Sequence, residues 1–596
     1  MRENGESVKI IGLSGLDNSV AFKRAWFPDL DPRDYRITQG FDAAAVLVTP
    51  GGVQFAAAEE RFTREKATGA FPAQALAHLF ASTGVEPDEV DVVAHGFDYR
   101  PYQEFFSEED FHRRQFDEVF HPDRQVERLD ARYPGIDWAS KFVPVPHHEA
   151  HAASAFYQSG FDEALIVVSD GMGEIHSMTA MHGTPDGMRR LAEIPAFHSI
   201  GVLYGVFTLY LGFAFNMDEY KIMGLAPYGD PRKYFNQMMD LVQLKDDGTY
   251  AIPLFARNTT VLEKETHSGV LAELESRFGP RRHEDVEGMD QRYMDIAAAL
   301  QQVLQTVQLH VVRKFREETG SQNLCLAGGV ALNCTANGVI KRSRLFKRMF
   351  VQPASGDDGS ALGAALYVQS QRDPQPPSRI SSPLWGPSFD DETIARIVEG
   401  RDDVTARFFE SFDELTAETA RRLDRGQILS WFQGAMEFGP RALGNRSIIA
   451  DPRPEDMRNR VNMLIKKREG FRPFAPAVVA DRAHEYFEIS ADDHETYAHM
   501  LFVMQVRAAY RDVLHAITHV DGSGRVQTVT EDANPRFHAL LTAFGQLSGI
   551  PMLLNTSFNV KGQPIVCTPT EAIDTFLSAG LDGLVIGNWM LDAGAS

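Results

Sequence analysis

Two histidines four positions apart, His147 and His151, sit in the stretch KFVPVPHHEAHAASAFYQSGF, residues 141–161. On a helix that spacing puts both imidazoles on one face, close enough to share a single ion. Neutral imidazole is the commonest transition-metal ligand. A histidine pair at this spacing is more often a surface or satisfied core feature. The zincin pattern is excluded, because Ala152 stands where its second histidine would fall. Two further stretches shift the balance. ALIVVSDGMGE (164–174) reads as a buried strand that delivers Asp170 to a Gly-rich turn. MFVQPASGDDGSALGAAL (349–366) reads as a strand, a turn carrying Asp357 and Asp358, then a helix of small residues. Two imidazoles and two carboxylates at strand ends suit a mixed nitrogen–oxygen site for Fe(II), Mn(II) or Zn(II).

A second concentration of chemistry follows later in the chain. GAMEFGPRALGNRSIIADPR (434–453) sets Arg441 and Arg446 in a Gly-rich turn, and NMLIKKREGFRPFAPAVV (462–479) supplies Lys466, Lys467 and Arg472. PMLLNTSFNVKGQPIV (551–566) is a buried strand ending in Asn555, Thr556 and Ser557. Guanidinium forks pair with phosphate oxygens, and an ammonium adds a point charge. One such arginine would be an ordinary ion pair. Five cations with a strand-end amide and hydroxyl, all on loops after apolar strands, predict a site for a small polyanion.

These groups need elements to hold them. Residues 141–146 are expected to form a short buried strand and 152–157 an apolar helix, ended by Ser159-Gly160. Upstream, 8–15 predicts a first strand and 43–62 a hairpin turning at Pro50-Gly51-Gly52. The polar stretch 22–40 reads as an insertion, 90–97 as a strand, and the acidic, aromatic 101–130 as helical and mostly surface. Downstream, 202–213 predicts a helix, and in DEYKIMGLAPYG (218–229) Glu219 and Lys221 stand beside a turn. The polar region 230–290 reads as a cap, and a long amphipathic helix is expected over 294–315. NLCLAGGVALNCTANGVI (323–340) then gives a buried strand ending in Gly328-Gly329, with a helix beginning at once. Backbone N–H groups at such a turn form an anion site. Paired with Ser169-Asp170-Gly171, it suggests nucleotide phosphates held between two related halves. The Pro/Ser-rich 371–387 is the clearest linker; a helix (391–399) and a strand (427–434) follow it.

At 596 residues the chain should form at least two domains, and 43% apolar with 24% charged residues is the balance of an ordinary soluble protein. No apolar run spans a bilayer, and MRENGESVKII lacks a signal peptide's layout. Three cysteines (Cys325, Cys334, Cys567) in no metal-type spacing fit a reducing cytoplasm. A formal charge of −23 disfavours gripping a phosphate backbone. The class expected is a cytoplasmic enzyme for small molecules, with no nucleic-acid or membrane partner.

Taken together, EERFTREK (59–66), HHEAHAASAF, VSDGMGE, DEYKIMGLAPYG, LAGGVALNCTANG, GDDGSALGAA, EFGPRALGNRSI, IKKREGFRPFAP and NTSFNVKGQPIV run in order over nearly the whole chain. In this they resemble the O-carbamoyltransferases of the NodU/CmcH/TobZ type. The resemblance implies an α/β protein: an N-terminal ASKHA-type (actin/Hsp70-like, TsaD-like) duplicated ATPase domain over 1–375, a linker over 376–390, and a YrdC-like α/β domain over 391–596. It implies that the second domain turns carbamoyl phosphate and ATP into carbamoyladenylate and pyrophosphate. The first domain would then pass the carbamoyl group to a hydroxyl of a small-molecule acceptor, an antibiotic or other natural-product intermediate, and release AMP.

By the same resemblance, His147, His151, Asp170 and Asp357 would bind a divalent metal, with Fe(II) favoured and Zn or Mn as alternatives. Arg441, Arg446, Lys466, Arg472, Asn555 and Ser557 would bind carbamoyl phosphate, with Arg441, Lys466 and Arg472 also catalytic. Asp170, Gly171, Glu219, Lys221, Gly328, Gly329 and Asn333 would bind the nucleotide, with Mg(II) accompanying ATP. The chain departs from the pattern where relatives carry a His-Asp pair, here Gly40-Phe41-Asp42, and where they have a histidine in place of Ala67. The base for the acceptor hydroxyl is therefore open between Asp42 and His148. Of the tandem Asp357-Asp358, the family's Gly-Asp-x-Gly spacing favours Asp357. A tRNA threonylcarbamoyladenosine-type enzyme is the alternative function, and monomer and homodimer both stay open.

Overall fold

The computed structural model describes residues 8–283, 288–463 and 474–594. It comprises two units, Met1–Glu60 with Ala67–Ile380, and Arg61–Lys66 with Ser381–Ser596. The division falls inside the Pro/Ser-rich stretch. The segment Arg61–Lys66, which follows the first hairpin, belongs with the second unit.

The first unit carries two five-stranded sheets built on one plan. In the first, β1 (Ile10–Leu13), β2 (Ala44–Thr49), β3 (Gly52–Ala58), β4 (Val92–His95) and β5 (Phe142–Pro144) lie in the order β3-β2-β1-β4-β5. The hairpin pairs are antiparallel, and β1-β4 and β4-β5 are parallel. In the second, β6 (Ala164–Gly173), β7 (His176–Thr184), β8 (Gly187–Pro195), β9 (Asn323–Ala327) and β10 (Arg348–Val351) lie in the order β10-β9-β6-β7-β8. Counted from its own first strand, that is the same order with the same directions. Each fifth strand feeds a helix: His147–Phe156 after β5 and Asp357–Arg372 after β10.

Those two helices pack on each other at the centre of the unit, and small residues let them. A Cβ on Gly363 would lie 1.6 Å from the carbonyl oxygen of Ala150, and one on Gly12 of β1 would lie 1.9 Å from that of Ala361. Nearly every side chain of the His147–Phe156 helix is buried, which is why the sequence there is alanine-rich rather than amphipathic.

Several expectations need correction. The helix begins at His147, five residues earlier than expected, so the whole HHEAH motif is its first turn and a half. The insertion 22–40 overlaps a helix, Ser19–Trp26, and a short 3-10 turn, Asp34–Arg36. The 101–130 segment is helical in large part and mostly surface, as expected, but Phe106, Phe111, Phe116, Val119 and Phe120 turn inward and form a buried cluster with Phe22, Phe97 and Tyr99. Acidic neighbours mask this in the sequence, because the segment is amphipathic. Glu219 and Lys221 lie on a helix, Glu219–Leu225, that leads directly into the 3-10 turn Ala226–Tyr228. The long helix runs Gln291–Thr319 and ends at Gly320 in the left-handed region (φ 70°). Gly328-Gly329 leads into a 3-10 turn, Gly329–Leu332, before the helix Cys334–Arg342. The polar 230–290 region has its own apolar face (Val270, Leu271, Leu274, Phe278). It is tied to the long helix through Asp295, which accepts from the Asp230 N–H and pairs with Lys233.

The second unit is built on an eight-stranded mixed sheet. Its strands are β11 (Val404–Phe408), β12 (Leu429–Phe432), β13 (Arg446–Ala450), β14 (Ala475–Val479), β15 (Gln527–Val529), β16 (Met552–Ser557), β17 (Gly583–Ile586) and β18 (Trp589–Ala593). They lie in the order β11-β18-β17-β12-β13-β16-β14-β15. Helices Phe412–Asp424 and Pro535–Ser548 cover one face over Trp431, Ile449, Leu553 and Val585. Among the described residues no helix is long and apolar enough to cross a membrane.

Candidate metal centre and second-unit site

The start of one helix, the start of the other and the end of β6 converge. His147 and His151 come from the first helix, Asp357 opens the second, and Asp170 stands on β6. One ligand atom from each of these four residues lies within 4.8 Å of every other. The two Nε2 atoms face each other at 3.0 Å. His147 Nε2 is 3.2 Å from Asp170 Oδ2 and 3.5 Å from Asp357 Oδ1; His151 Nε2 is 3.8 and 3.7 Å from the same oxygens. Both imidazoles are fully buried.

Hydrogen bonds outside the cluster aim these groups. His147 Nδ1 is 2.8 Å from the Gly96 carbonyl, which can only accept, so Nδ1 carries the proton and the Nε2 lone pair turns inward. Asp170 Oδ1 accepts from the Gly329 N–H at 3.0 Å, which leaves Oδ2 for the cluster. Gly328, at φ 85°, has no room for a side chain: a Cβ would lie 2.4 Å from the Ser169 carbonyl oxygen. The Gly-Gly turn therefore buttresses Asp170.

The electrostatics match. Burial opposes charge on His147, but Asp357 and Asp170 outweigh it and hold the imidazole well above its usual range. Burial likewise opposes charge on Asp170, and His147, His151 and His148 outweigh that, holding it well below the carboxylate range. A divalent cation fits this set. Two imidazole nitrogens and two carboxylate oxygens converge, and the carboxylates balance the charge.

The remaining first-unit candidates surround this centre differently. Asp358 does not join the four; its carboxylate and that of Asp42 flank Gly356, where a Cβ would lie 3.3 and 3.4 Å from them. Burial, then Asp358, Glu60 and Asp357, push Asp42 well above the usual range. His148 is buried, with Nδ1 2.6 Å from Thr179 Oγ1, and burial together with His147 keeps it well below the usual histidine range. Gly171 faces open space. Lys221 pairs with Asp218 at 2.9 Å, and burial pushes Glu219 up to about 7. Asn333 caps its helix by accepting from the Ala336 N–H and exchanges amide hydrogen bonds with Gln301. Its side chain is thus engaged within the protein.

In the second unit, Lys466, Lys467 and Arg472 lie outside the described residues. Arg441 is on the loop between β12 and β13. The amide of Asn555, on β16, donates to the carbonyl of the next residue, Ala442 (3.3 Å), and to Gln527 Oε1 (2.9 Å). Gln527 Nε2 in turn donates to the Leu443 carbonyl, which fixes both amide orientations. Asn555 Oδ1 is left buried with no partner among the described residues, and Ser557 donates to Asn559. Arg446 is engaged within its own loop. It is fully buried over the Phe432 ring, and its guanidinium donates to the carbonyls of Gln433, Gly434, Asn445 and Pro387. Those bonds use it as a staple for the loop. Sequence reasoning gave no role to Glu437, whose Oε1 accepts from the N–H groups of Leu443, Asn445 and Arg446, or to Glu174 at the end of the Asp170 motif.

Comparison with known proteins agrees with this division. The carbamoyltransferase N-terminus model matches residues 126–366 and the carbamoyltransferase C-terminus model matches residues 420–593. An uncharacterized protein of Synechocystis sp. is 39% identical, covering 92% of this chain and 95% of its own. Nodulation protein NolNO of Sinorhizobium fredii is 37% identical over 92% of this chain and 78% of its own. The 3'-hydroxymethylcephem-O-carbamoyltransferase of Amycolatopsis lactamdurans is 32% identical over 62% of this chain and 64% of its own. The chain belongs to the NodU/CmcH-type carbamoyltransferase family and is a carbamoyl-transferring enzyme.

Proposed function

We propose that this enzyme is an ATP- and carbamoyl-phosphate-dependent O-carbamoyltransferase with two sites. The observation that carries the reading is the convergence of His147, His151, Asp170 and Asp357 in the first unit, separate in sequence from the cationic motifs of the second. We read the repeated strand order as a duplicated ASKHA-type domain and the second unit as YrdC-like. In that second unit Arg441, Lys466 and Arg472, with Asn555 and Ser557, hold carbamoyl phosphate and stabilise the charge that develops as carbamate attacks the α-phosphorus of ATP. Fixed cations do this without reorganising. Water first cleaves carbamoyl phosphate to carbamate and inorganic phosphate, and attack of that carbamate on ATP then gives carbamoyladenylate and pyrophosphate.

In the first unit, Gly171 and the Gly328-Gly329 turn take the nucleotide, with Glu219, Lys221 and Mg(II) beside it. The four donors hold the divalent ion, Fe(II) in preference to Zn(II) or Mn(II), which when bound supplies a Lewis acid for the carbamoyl oxygen. Asp42 and His148 flank the centre as candidates to take the acceptor proton. A small-molecule hydroxyl as acceptor is supported by the likeness to an enzyme whose name carries a hydroxymethyl acceptor, and the charge of −23 argues against a nucleic-acid track. We place the work in the cytoplasm.

Pyrophosphate release from ATP tests the reading. It should require carbamoyl phosphate and fall at least about 100-fold in Arg441→Ala, as expected for a lost charge-stabilising group. Release that proceeds equally without carbamoyl phosphate, or unchanged in the variant, would overturn it.

A further inference from the structure

The motif that delivers Asp170 ends in an acid, Glu174, in the tight turn between β6 and β7. It is only 4% exposed and sits at φ 47°, a region that residues with a Cβ enter rarely. Something must hold it there. Its Oε1 accepts two backbone N–H groups, those of His147 at 2.9 Å and Asp98 at 2.8 Å.

The first of these bonds answers a need of the helix. The N–H groups of a helix's first turn have no partner inside it, and a side chain at the cap usually supplies one. Here the cap residue is Pro146, which makes no side-chain bond. Glu174 reaches in from another element and does the capping through its Oε1. The second bond closes a loop of constraints. Gly96, two residues before Asp98, accepts the ring proton of His147 at 2.8 Å. One carboxylate oxygen therefore holds the backbone of His147 and also the strand end whose carbonyl holds its ring. On its far side, the Glu174 carbonyl accepts from Gln39 Nε2 at 3.4 Å, and Gln39 Oε1 accepts from the Tyr99 hydroxyl.

We propose that Glu174 is a positioning residue for the metal centre: by fixing His147 against Gly96, it sets the direction of the His147 Nε2 lone pair. This rests on the reading of the four donors as a metal centre. It makes no contact with the ion and acts only through its two N–H partners. Any side chain that accepts from both serves, and one that accepts from neither lets the ligand swing.

The test is divalent-ion affinity of the full-length protein, measured by competition between Zn(II) and a chromophoric chelator, with unfolding of each metal-free protein followed in parallel. Glu174→Ala should bind Zn(II) about 10–100-fold more weakly than the wild type, the range seen when a ligand's orienting partner is lost. Glu174→Gln, whose amide oxygen can accept the same two bonds, should stay within about threefold of wild type, where a mere stability effect would not separate the two. Should the alanine variant not fold, Glu174→Asp, short by one methylene, takes its place with an intermediate loss. Wild-type affinity in the alanine or aspartate variant overturns the proposal. So does a glutamine variant as weak as alanine. A wild type that binds no better than His151→Ala overturns the metal reading itself, and the positioning role with it.

Discussion

A carboxyl that the fold keeps partly buried and uncompensated leaves a mark on the pH dependence of stability, and Glu219 is the clearest case outside the metal centre. Burial raises it from an ordinary 4.5 to about 7, and the N–H bonds to its carboxylate, including that of Asn216, only partly offset this. In the unfolded chain it loses its proton near 4.5. In the folded chain it keeps the proton to about 7. Between those values the folded state binds the proton that the unfolded state has lost, so this group's contribution is full below 4.5 and is lost as pH rises through 7. The upper bound is about 3 kcal/mol, at 1.36 kcal/mol per unit. Glu219→Gln cannot titrate. Denaturant unfolding at pH 5 and pH 8 should therefore show the variant gaining on the wild type at the higher pH. An equal difference at both values would mean that the native carboxyl ionises as freely as an exposed one.

At the scale of elements, the site depends on how closely two helices approach. Gly363 faces the Ala150 carbonyl at a distance that admits no Cβ, and the two helices carry three of the four donors. Gly363→Ala must push them apart, at about 1–3 kcal/mol for an overpacked core position. The displacement would act on Asp357 relative to His147 and His151. Reduced metal content and earlier unfolding should appear together, and an alanine variant with full metal content and wild-type unfolding would refute this. The same helices show how far the sequence could be read. The i, i+4 histidines, the strand carrying Asp170 and the small-residue helix after Asp357 were all legible, because each depends on local spacing. What they meet was not. GSALGAA is small because Ala150 and Gly12 lie against it, a tertiary reason. Arg441 and Arg446 belong to one motif and carry one charge, and burial over Phe432 sets Arg446 apart. The surface character of 101–130 was legible too, but not which of its aromatics, Phe106, Phe111, Phe116 and Phe120, turn inward.

At the scale of the whole molecule, the chain separates into two units with their own sheets, and the proposed chemistry assigns one half-reaction to each. That assignment makes opposite demands on variants in the two units. His151→Ala removes a donor from the first unit and leaves every residue of the second in place. Carbamoyl-phosphate-dependent pyrophosphate release should therefore persist within about twofold, while carbamoylation of a hydroxylated acceptor falls at least about 100-fold, because a Lewis acid supplies several kcal/mol to the transfer step. Chelation of the wild type with a divalent-ion chelator in the absence of Mg(II) demand, that is, with preformed carbamoyladenylate as donor, should reproduce the loss of transfer. Arg441→Ala should do the reverse, failing at pyrophosphate release yet transferring from preformed carbamoyladenylate. If both variants lose both activities, the two units do not divide the reaction. If His151→Ala alone abolishes pyrophosphate release, adenylation belongs to the first unit, and the cations of the second must serve another anion.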